Sequence, residues 1–281
     1  VDPTGGSDTV ASFREIACRS SRTANLLRAL GARRGDRMLV LLGNEPALWD
    51  AMLAAFKLGL VVIPATVLLT GEELRDRIER GRVSLVLTDP AQTHKIDALG
   101  FAGLRVLTTG ARAGWRDLGE RDTLADGFEP DAPTAGSDPL LLYFTSGTTA
   151  KPKLVLHTHR SYPVGALSTM FWLGLRPGDR HLNISSPGWA KHAWSCLFAP
   201  WNAGACVTIV DQPRFDARVL IRTLARADIS TLCAPPTVWR HLVQEDLGPR
   251  PEALRELCAA GEPLNPEVIA QVQDRWELEI R

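Results

Sequence analysis

The chain has 281 residues, with 32 Lys and Arg against 32 Asp and Glu, 45% apolar residues and 23% charged residues. That length allows one large domain or two small ones, and the composition excludes a disordered chain. Balanced charge speaks against a broad nucleic-acid surface, which needs an excess of cations, and leaves room for one local phosphate site.

The sequence opens VDPTGGSD, with neither a basic nor an apolar leader, so no signal peptide is expected. Ser12 and Glu15 fit a capping box. Phe13, Ile16, Ala17, Ala24, Leu27 and Leu30 keep helical spacing, and Gly31 can end that helix. Residues 38–42 form a short apolar run, the pattern of a buried strand. Asn44 is placed to cap a helix with Pro46 in its first turn, running through Trp49, Leu53 and Phe56 to Gly59. A strand at 61–63, a charged helix at 72–80 closed by Gly81, and strands at 85–88 and 106–109 follow. Short apolar strands between helices indicate parallel pairing with both faces covered.

Residues 110–139 break the pattern. They are rich in Gly, Asp, Ala and Pro and read as a surface connection, with a short helix expected near Trp115 and Leu118. Alternation then resumes, with strands at 140–144, 154–157, 182–184, 206–210, 231–233 and 257–260. Helices are expected at 159–173, 190–201, 217–227, 237–246 and 266–276. The expected fold class is α/β, two adjoining mostly parallel sheets flanked by helices. Its parts are a first subdomain over 1–110, a connecting segment over 111–139, and a second subdomain over 140–281 that carries the phosphate loop.

The longest stretch without Asp, Glu, Lys or Arg is the 19 residues 192–210. His192, Ser195, Pro200, Asn202 and Gly204 interrupt it, so it reads as a buried helix and strand rather than a membrane span. The five cysteines (18, 196, 206, 233, 258) form no Cys-x-x-Cys pair. They are expected as free thiols in a reducing cytoplasm, without a metal.

Residues 140–153, LLLYFTSGTTAKPK, are the strongest motif. A buried strand runs into Thr145, Ser146, Gly147, Thr148 and Thr149, and Lys153 follows. A glycine lets backbone N–H groups approach a phosphate, hydroxyls donate to its oxygens, and a lysine adds a point charge. Open α/β sheets bind ligands beyond the carboxyl ends of their strands, which is where this loop falls. It is not a Walker loop, because it lacks the second Gly and the hydroxyl after the Lys. A plain polar turn also fits the composition.

Gly261, Glu262 and Pro263 follow the strand at 257–260. Alone they fit a strand-to-helix turn, with Asn265 capping a helix that has Pro266 in its first turn. Trp172, Trp194 and Trp201 lie in helical patterns and are expected in the core, whereas Trp189 follows Pro187 and Gly188 in a loop. His192 reads as a helix-surface histidine, without the fixed carboxylate partner a general base would have. His157 and His159 alternate at a strand end and lack a third ligand for a metal.

TSGTTAKPK resembles the phosphate loop of the adenylate-forming superfamily: acyl- and aryl-CoA synthetases, nonribosomal peptide adenylation domains and firefly luciferase. The usual form is Thr-Ser-Gly-Thr-Thr-Gly-x-Pro-Lys, and Ala150 stands where Gly is usual. Three further segments resemble the same superfamily: FKLGLVVIPA at 56–65, HLNISSPGWAKHAWS at 181–195 and AAGEPLNPEV at 259–268. PGW and AGEPL look most like medium-chain acyl-CoA synthetases and acetyl-CoA synthetase relatives.

The resemblance implies a ligase that activates a carboxylic acid with ATP to an acyl-adenylate, releases Mg2+-pyrophosphate, and passes the acyl group to coenzyme A, in fatty acid metabolism. An adenylating enzyme serving a carrier protein and a noncatalytic nucleotide-binding module are the alternatives. By the same resemblance Thr145, Ser146, Gly147, Thr148, Thr149 and Lys153 would hold the phosphates. Gly261, Glu262 and Pro263 would face adenine, and Trp189 would border the acid pocket with His192 beside it. The resemblance further implies that the chain ends before the family's Tyr-Gly-x-Thr-Glu loop, ribose-binding Asp and mobile C-terminal domain with its catalytic Lys. No catalytic residue and no metal ligand is therefore expected within these 281 residues, which alone would have weak activity or none.

Overall fold

The computed structural model describes residues 1–145, 151–210, 212 and 214–281. They divide into two compact units. One comprises Ala11–Tyr162 with Ser186–Ala190, and the other comprises Val1–Val10, Pro163–Ser185 and Lys191–Arg281.

The first unit is built on a seven-stranded sheet, among the described residues, formed by β1 (Arg37–Leu41), β2 (Val61–Ala65), β3 (Leu85–Thr88), β4 (Leu104–Leu107), β5 (Arg116–Asp117), β6 (Pro139–Thr145) and β7 (Lys153–Thr158). Their order is β5-β4-β3-β1-β2-β6-β7. All neighbours are parallel except the antiparallel hairpin of β6 and β7. Met38, Leu39, Val40 and Leu41 are wholly buried, as a parallel strand covered on both faces requires.

Local chemistry sets the helices. α1 (Phe13–Ala29) starts at the expected capping box, with Glu15 N–H donating to Ser12 Oγ at 3.2 Å and Ser12 N–H to Glu15 Oε2 at 2.6 Å. α2 (Pro46–Leu58) ends at Gly59, whose φ of 76° suits only glycine well. Its N-cap is Glu45 rather than Asn44, with no side-chain cap bond. Pro46 has no N–H to be capped and fixes the first turn by itself. α3 (Gly71–Gly81) carries a second capping box, Thr70 with Glu73. The short α4 (Thr93–Asp97) leads into β4.

The short helix expected near Trp115 and Leu118 is a 3-10 helix that starts at Leu118 (Leu118–Thr123), and the two-residue strand β5 stands before it. Two residues of strand suffice there because β4 supplies a free edge. The Gly- and Pro-rich stretch is held by α1. Asn25 donates to the carbonyls of Ala125 and Gly127 at 3.0 and 2.8 Å, and Arg28 to that of Glu129 at 2.8 Å. Asp50, 1% exposed on α2, accepts ion pairs from Arg19 at 3.0 Å and Arg121 at 3.1 Å.

Among the described residues the second unit carries a four-stranded parallel sheet, formed by β8 (Arg180–Asn183), β9 (Cys206–Thr208), β10 (Thr231–Ala234) and β11 (Glu256–Ala259) in the order β11-β10-β8-β9. Leu182, Leu220, Leu224, Leu232, Trp239, Leu257, Val272 and Trp276 form its core. The chain passes between units within α5 (Ser161–Trp172). Reciprocal bonds between Thr158 and Ser161 start that helix later than position 159. The helix expected at 190–201 is α6 (Ala190–Ala193), a π-helical turn (Trp194–Phe198) and α7 (Ala199–Asn202). Pro200 lacks the N–H that would continue an α-ladder, and Ala199 N–H reaches back to Trp194. α8 (Ala217–Arg226), α9 (Pro236–Leu242) and α10 (Pro266–Trp276) complete the unit.

The units cross the expected boundaries. The hairpin at 139–158, expected to open a second subdomain at 140, completes the first sheet because β6 pairs with β2. The first ten residues join the second unit, where the Val1 amino group donates to the Ile209 carbonyl at 2.6 Å. Trp172 is 37% exposed rather than core, and Trp194 and Trp201 are half-buried.

Candidate functional site

The apolar run at 140–143 drives β6 into the sheet, and the strand ends at Thr145. In the hairpin register Thr145 lies directly opposite Lys153, the first residue of β7. Cross-strand partners project to the same face of a sheet. The half-buried hydroxyl of Thr145 and the exposed Lys153 therefore stand side by side where the loop leaves and rejoins the sheet. Ser146, Gly147, Thr148 and Thr149 lie outside the described residues, as does Ala150.

Trp189 comes to the same sheet edge. Its loop rests on the chain just after β2: a Cβ on Gly188 would stand 2.5 Å from the Thr66 nitrogen and 3.1 Å from the Ala65 carbonyl carbon. Only glycine permits that approach. On the far side of Trp189 the Tyr162 hydroxyl, itself wholly buried, donates to the Ala190 carbonyl at 2.6 Å. Pinned on both sides, the loop holds the Trp189 ring 65% exposed. β2 and β6 are parallel neighbours, so Thr66 and Thr145 lie at their shared carboxyl edge. Thr145, Lys153 and Trp189 are thus gathered at the end of the sheet where open α/β folds bind ligands.

Gly261, Glu262 and Pro263 belong to the second unit and occupy the carboxyl end of β11. Gly261 has a φ of 119°, a conformation open only to glycine, and all three residues are exposed. Glu262 pairs with Arg240 of α9 at 3.3 Å across solvent. Asn265 is the N-cap of α10 by position, and its side chain makes no cap bond. The turn is therefore built by Gly261 and Pro266 rather than by Asn265.

His192 is not on a helix surface. It is 1% exposed on α6, and burial pushes its imidazole down to about 3. A group kept neutral so far below pH 7 is poorly matched to general-base work there. Lys191, its neighbour, had no assigned role in the sequence. It is half-buried. Burial raises the Cys233 thiol, and the Lys191 charge opposes the rise. Cys233 and Cys258 are register partners on β10 and β11. The signal that could have found Lys191 is composition, since it is one of only five lysines in the chain.

None of the five cysteines forms a disulfide. Among the described residues no group of three His, Cys, Asp or Glu side chains is arranged to hold a metal. Among the same residues no helix is long and apolar enough to cross a membrane.

The chain is 35% identical over 277 residues to the mouse mitochondrial acyl-coenzyme A synthetase ACSM3, covering 96% of this chain and 48% of that protein. It is 37% identical over 280 residues to 4-hydroxybutyrate–CoA ligase 1 of Metallosphaera sedula, covering 98% of this chain and 49% of that protein. Its fold superposes on the crystal structure of a Brucella canis acyl-CoA synthetase with a TM-score of 0.86 at 26% identity, over 97% of this chain and 51% of that one. The chain spans about half the length of the curated relatives it matches. Residues 3–280 match the AMP-binding enzymes, and the chain belongs to that family.

Proposed function

We propose that this chain supplies the nucleotide- and acid-binding part of an acyl-CoA synthetase, an acid–thiol ligase that forms AMP. The observation that carries the reading is the gathering of Thr145, Lys153 and Trp189 at one sheet edge. Their family membership and the names of the relatives support it. Thr145 donates a hydroxyl and Lys153 a charge to the β- and γ-phosphates of ATP. Trp189 offers a rigid apolar face to the acid. The carboxylate oxygen attacks the α-phosphorus, pyrophosphate leaves with its negative charge neutralised by Lys153, and an acyl-adenylate remains. The thiol of CoA then attacks the acyl carbon, and AMP leaves. The protein's part is positioning and charge neutralisation.

Gly261 brings bare backbone to the surface, which suits a flat base such as adenine lying against Glu262 and Pro263. Magnesium would arrive on the nucleotide's phosphates, since it binds through substrate oxygens and few carboxylates. His192, buried on α6, acts in packing rather than as a substrate contact. A role in fatty acid metabolism and a reducing compartment such as the cytoplasm complete the proposal. The second is supported by five cysteines outside any disulfide and tested by cell fractionation.

The test is product formation from ATP with C2–C12 and aryl acids, by this chain and by any longer natural protein that contains it, offering CoA and a carrier protein in turn. Acyl-CoA and AMP support the proposal. Transfer to the carrier alone moves the chain to the carrier-dependent branch. ATP binding with no acid-dependent product makes it a noncatalytic nucleotide module.

A further inference from the structure

The hairpin that presents Thr145 and Lys153 is tied from outside by one side chain of α3. Arg80 Nη2 donates to the Pro152 carbonyl at 2.8 Å, one residue before Lys153. The same guanidinium lies 5.6 Å from the centre of the Phe144 ring, one residue before Thr145. Arg77, one turn earlier, covers that ring from 5.3 Å. Asp76 sits four residues before Arg80 on the helix and accepts from its Nη1 at 3.0 Å, which fixes the fork. Gly81 brings this helix end close to the sheet, since a Cβ there would stand 2.8 Å from Ile63 Cδ1.

The need for such a tie follows from topology. Among the described residues β7 is the last strand of its sheet and pairs only with β6. Lys153 is its first residue, where an edge strand frays most readily. Arginine suits the task because its planar fork serves a carbonyl and a carboxylate at once while its face covers a ring. Lysine has a single point charge and no face.

We propose that Arg80 is a positioning residue for the nucleotide. By joining Pro152 to Phe144 it keeps Lys153 opposite Thr145 and sets the ammonium where the phosphates arrive. The inference rests on the nucleotide reading of Lys153.

The experiment is calorimetric titration of the 281-residue chain with ATP, for the parent, Arg80→Ala, Arg80→Lys, Lys153→Ala and the Arg80→Ala/Lys153→Ala pair, with thermal melts to confirm folding. Loss of one hydrogen bond's worth of ordering corresponds to about a fivefold weaker Kd for Arg80→Ala, with Arg80→Lys recovering part of it. Because Arg80 acts through Lys153, the double variant should bind as Lys153→Ala does. Parent-like binding by Arg80→Ala, or full additivity in the double variant, overturns the inference while leaving the nucleotide reading intact. Parent-like binding by Lys153→Ala, or no binding by the parent, overturns both. Should Arg80→Ala fail to fold, Asp76→Asn releases the fork without removing it. A smaller loss of affinity is expected there, and none at all counts against the proposal.

Discussion

Gly188→Ala tests how the fold aims Trp189. The added Cβ would stand 2.5 Å from the Thr66 nitrogen, 3.1 Å from the Ala65 carbonyl carbon and 3.2 Å from the Thr66 Cα, all backbone atoms at the end of a buried strand. Ordinary contact begins near 3.4 Å, so the loop must retreat by about 1 Å, and overpacking of this kind costs about 2 kcal/mol. For a chain of this size that lowers Tm by about 4 °C. The functional effect should exceed the stability effect, since a displacement of about 1 Å at a positioning group can cost up to about 100-fold in rate. The expected pattern is a lower kcat/KM for the acid with KM for ATP unchanged, measured beside Tm. Gly127→Ala is the control, because nothing lies within 4 Å of its added Cβ. If Gly188→Ala matches Gly127→Ala in both Tm and acid kinetics, the loop is not anchored as described.

Three other outcomes follow from the same geometry. Asp50→Asn leaves Arg19 and Arg121 without their buried counter-ion and should lower stability by about 3 kcal/mol in urea unfolding. Acid should also weaken the fold through two buried histidines, because burial pushes His192 down to about 3 and His181 down to about 4. In the unfolded chain both take up protons below about pH 6.5, while in the folded chain both stay neutral, so protons favour unfolding. Their contribution is complete above pH 6.5 and should fall by about 1.4 kcal/mol per pH unit for each histidine down to its folded value. Denaturation midpoints measured from pH 7 to 4 for the parent and His192→Gln would show a shallower slope in the variant. Gly261→Ala forces a side chain into a φ of 119° and should lose more than about 1 kcal/mol and weaken ATP binding, whereas Glu262→Gln should leave stability within about 0.5 kcal/mol.

The sequence was most readable where local chemistry and tertiary packing agree. The helix at 266–276 and the strand at 85–88 fall on the observed residues because Pro266 fixes a start and a short apolar run has one buried solution. Helical spacing told which residues share a face but not which face is covered. His192 was therefore expected outside and Trp172 inside, the reverse of their placement. β5 has no apolar signal of its own and exists because β4 offers an edge. The hairpin of β6 and β7 obscured the boundary because its antiparallel turn interrupts an otherwise alternating α/β pattern. At the loop, composition points to Thr145 and Lys153, whereas the bond from Arg80 to Pro152 joins residues far apart in sequence and leaves no local trace.

As proposed, this chain helps activate an acid with ATP. Carboxylate-dependent exchange of pyrophosphate into ATP tests it most directly, run on this chain and on any longer natural protein that contains it. The account predicts exchange that requires an acid, varies with its chain length, and falls sharply in Lys153→Ala. ATP binding without acid-dependent exchange in either protein would contradict it.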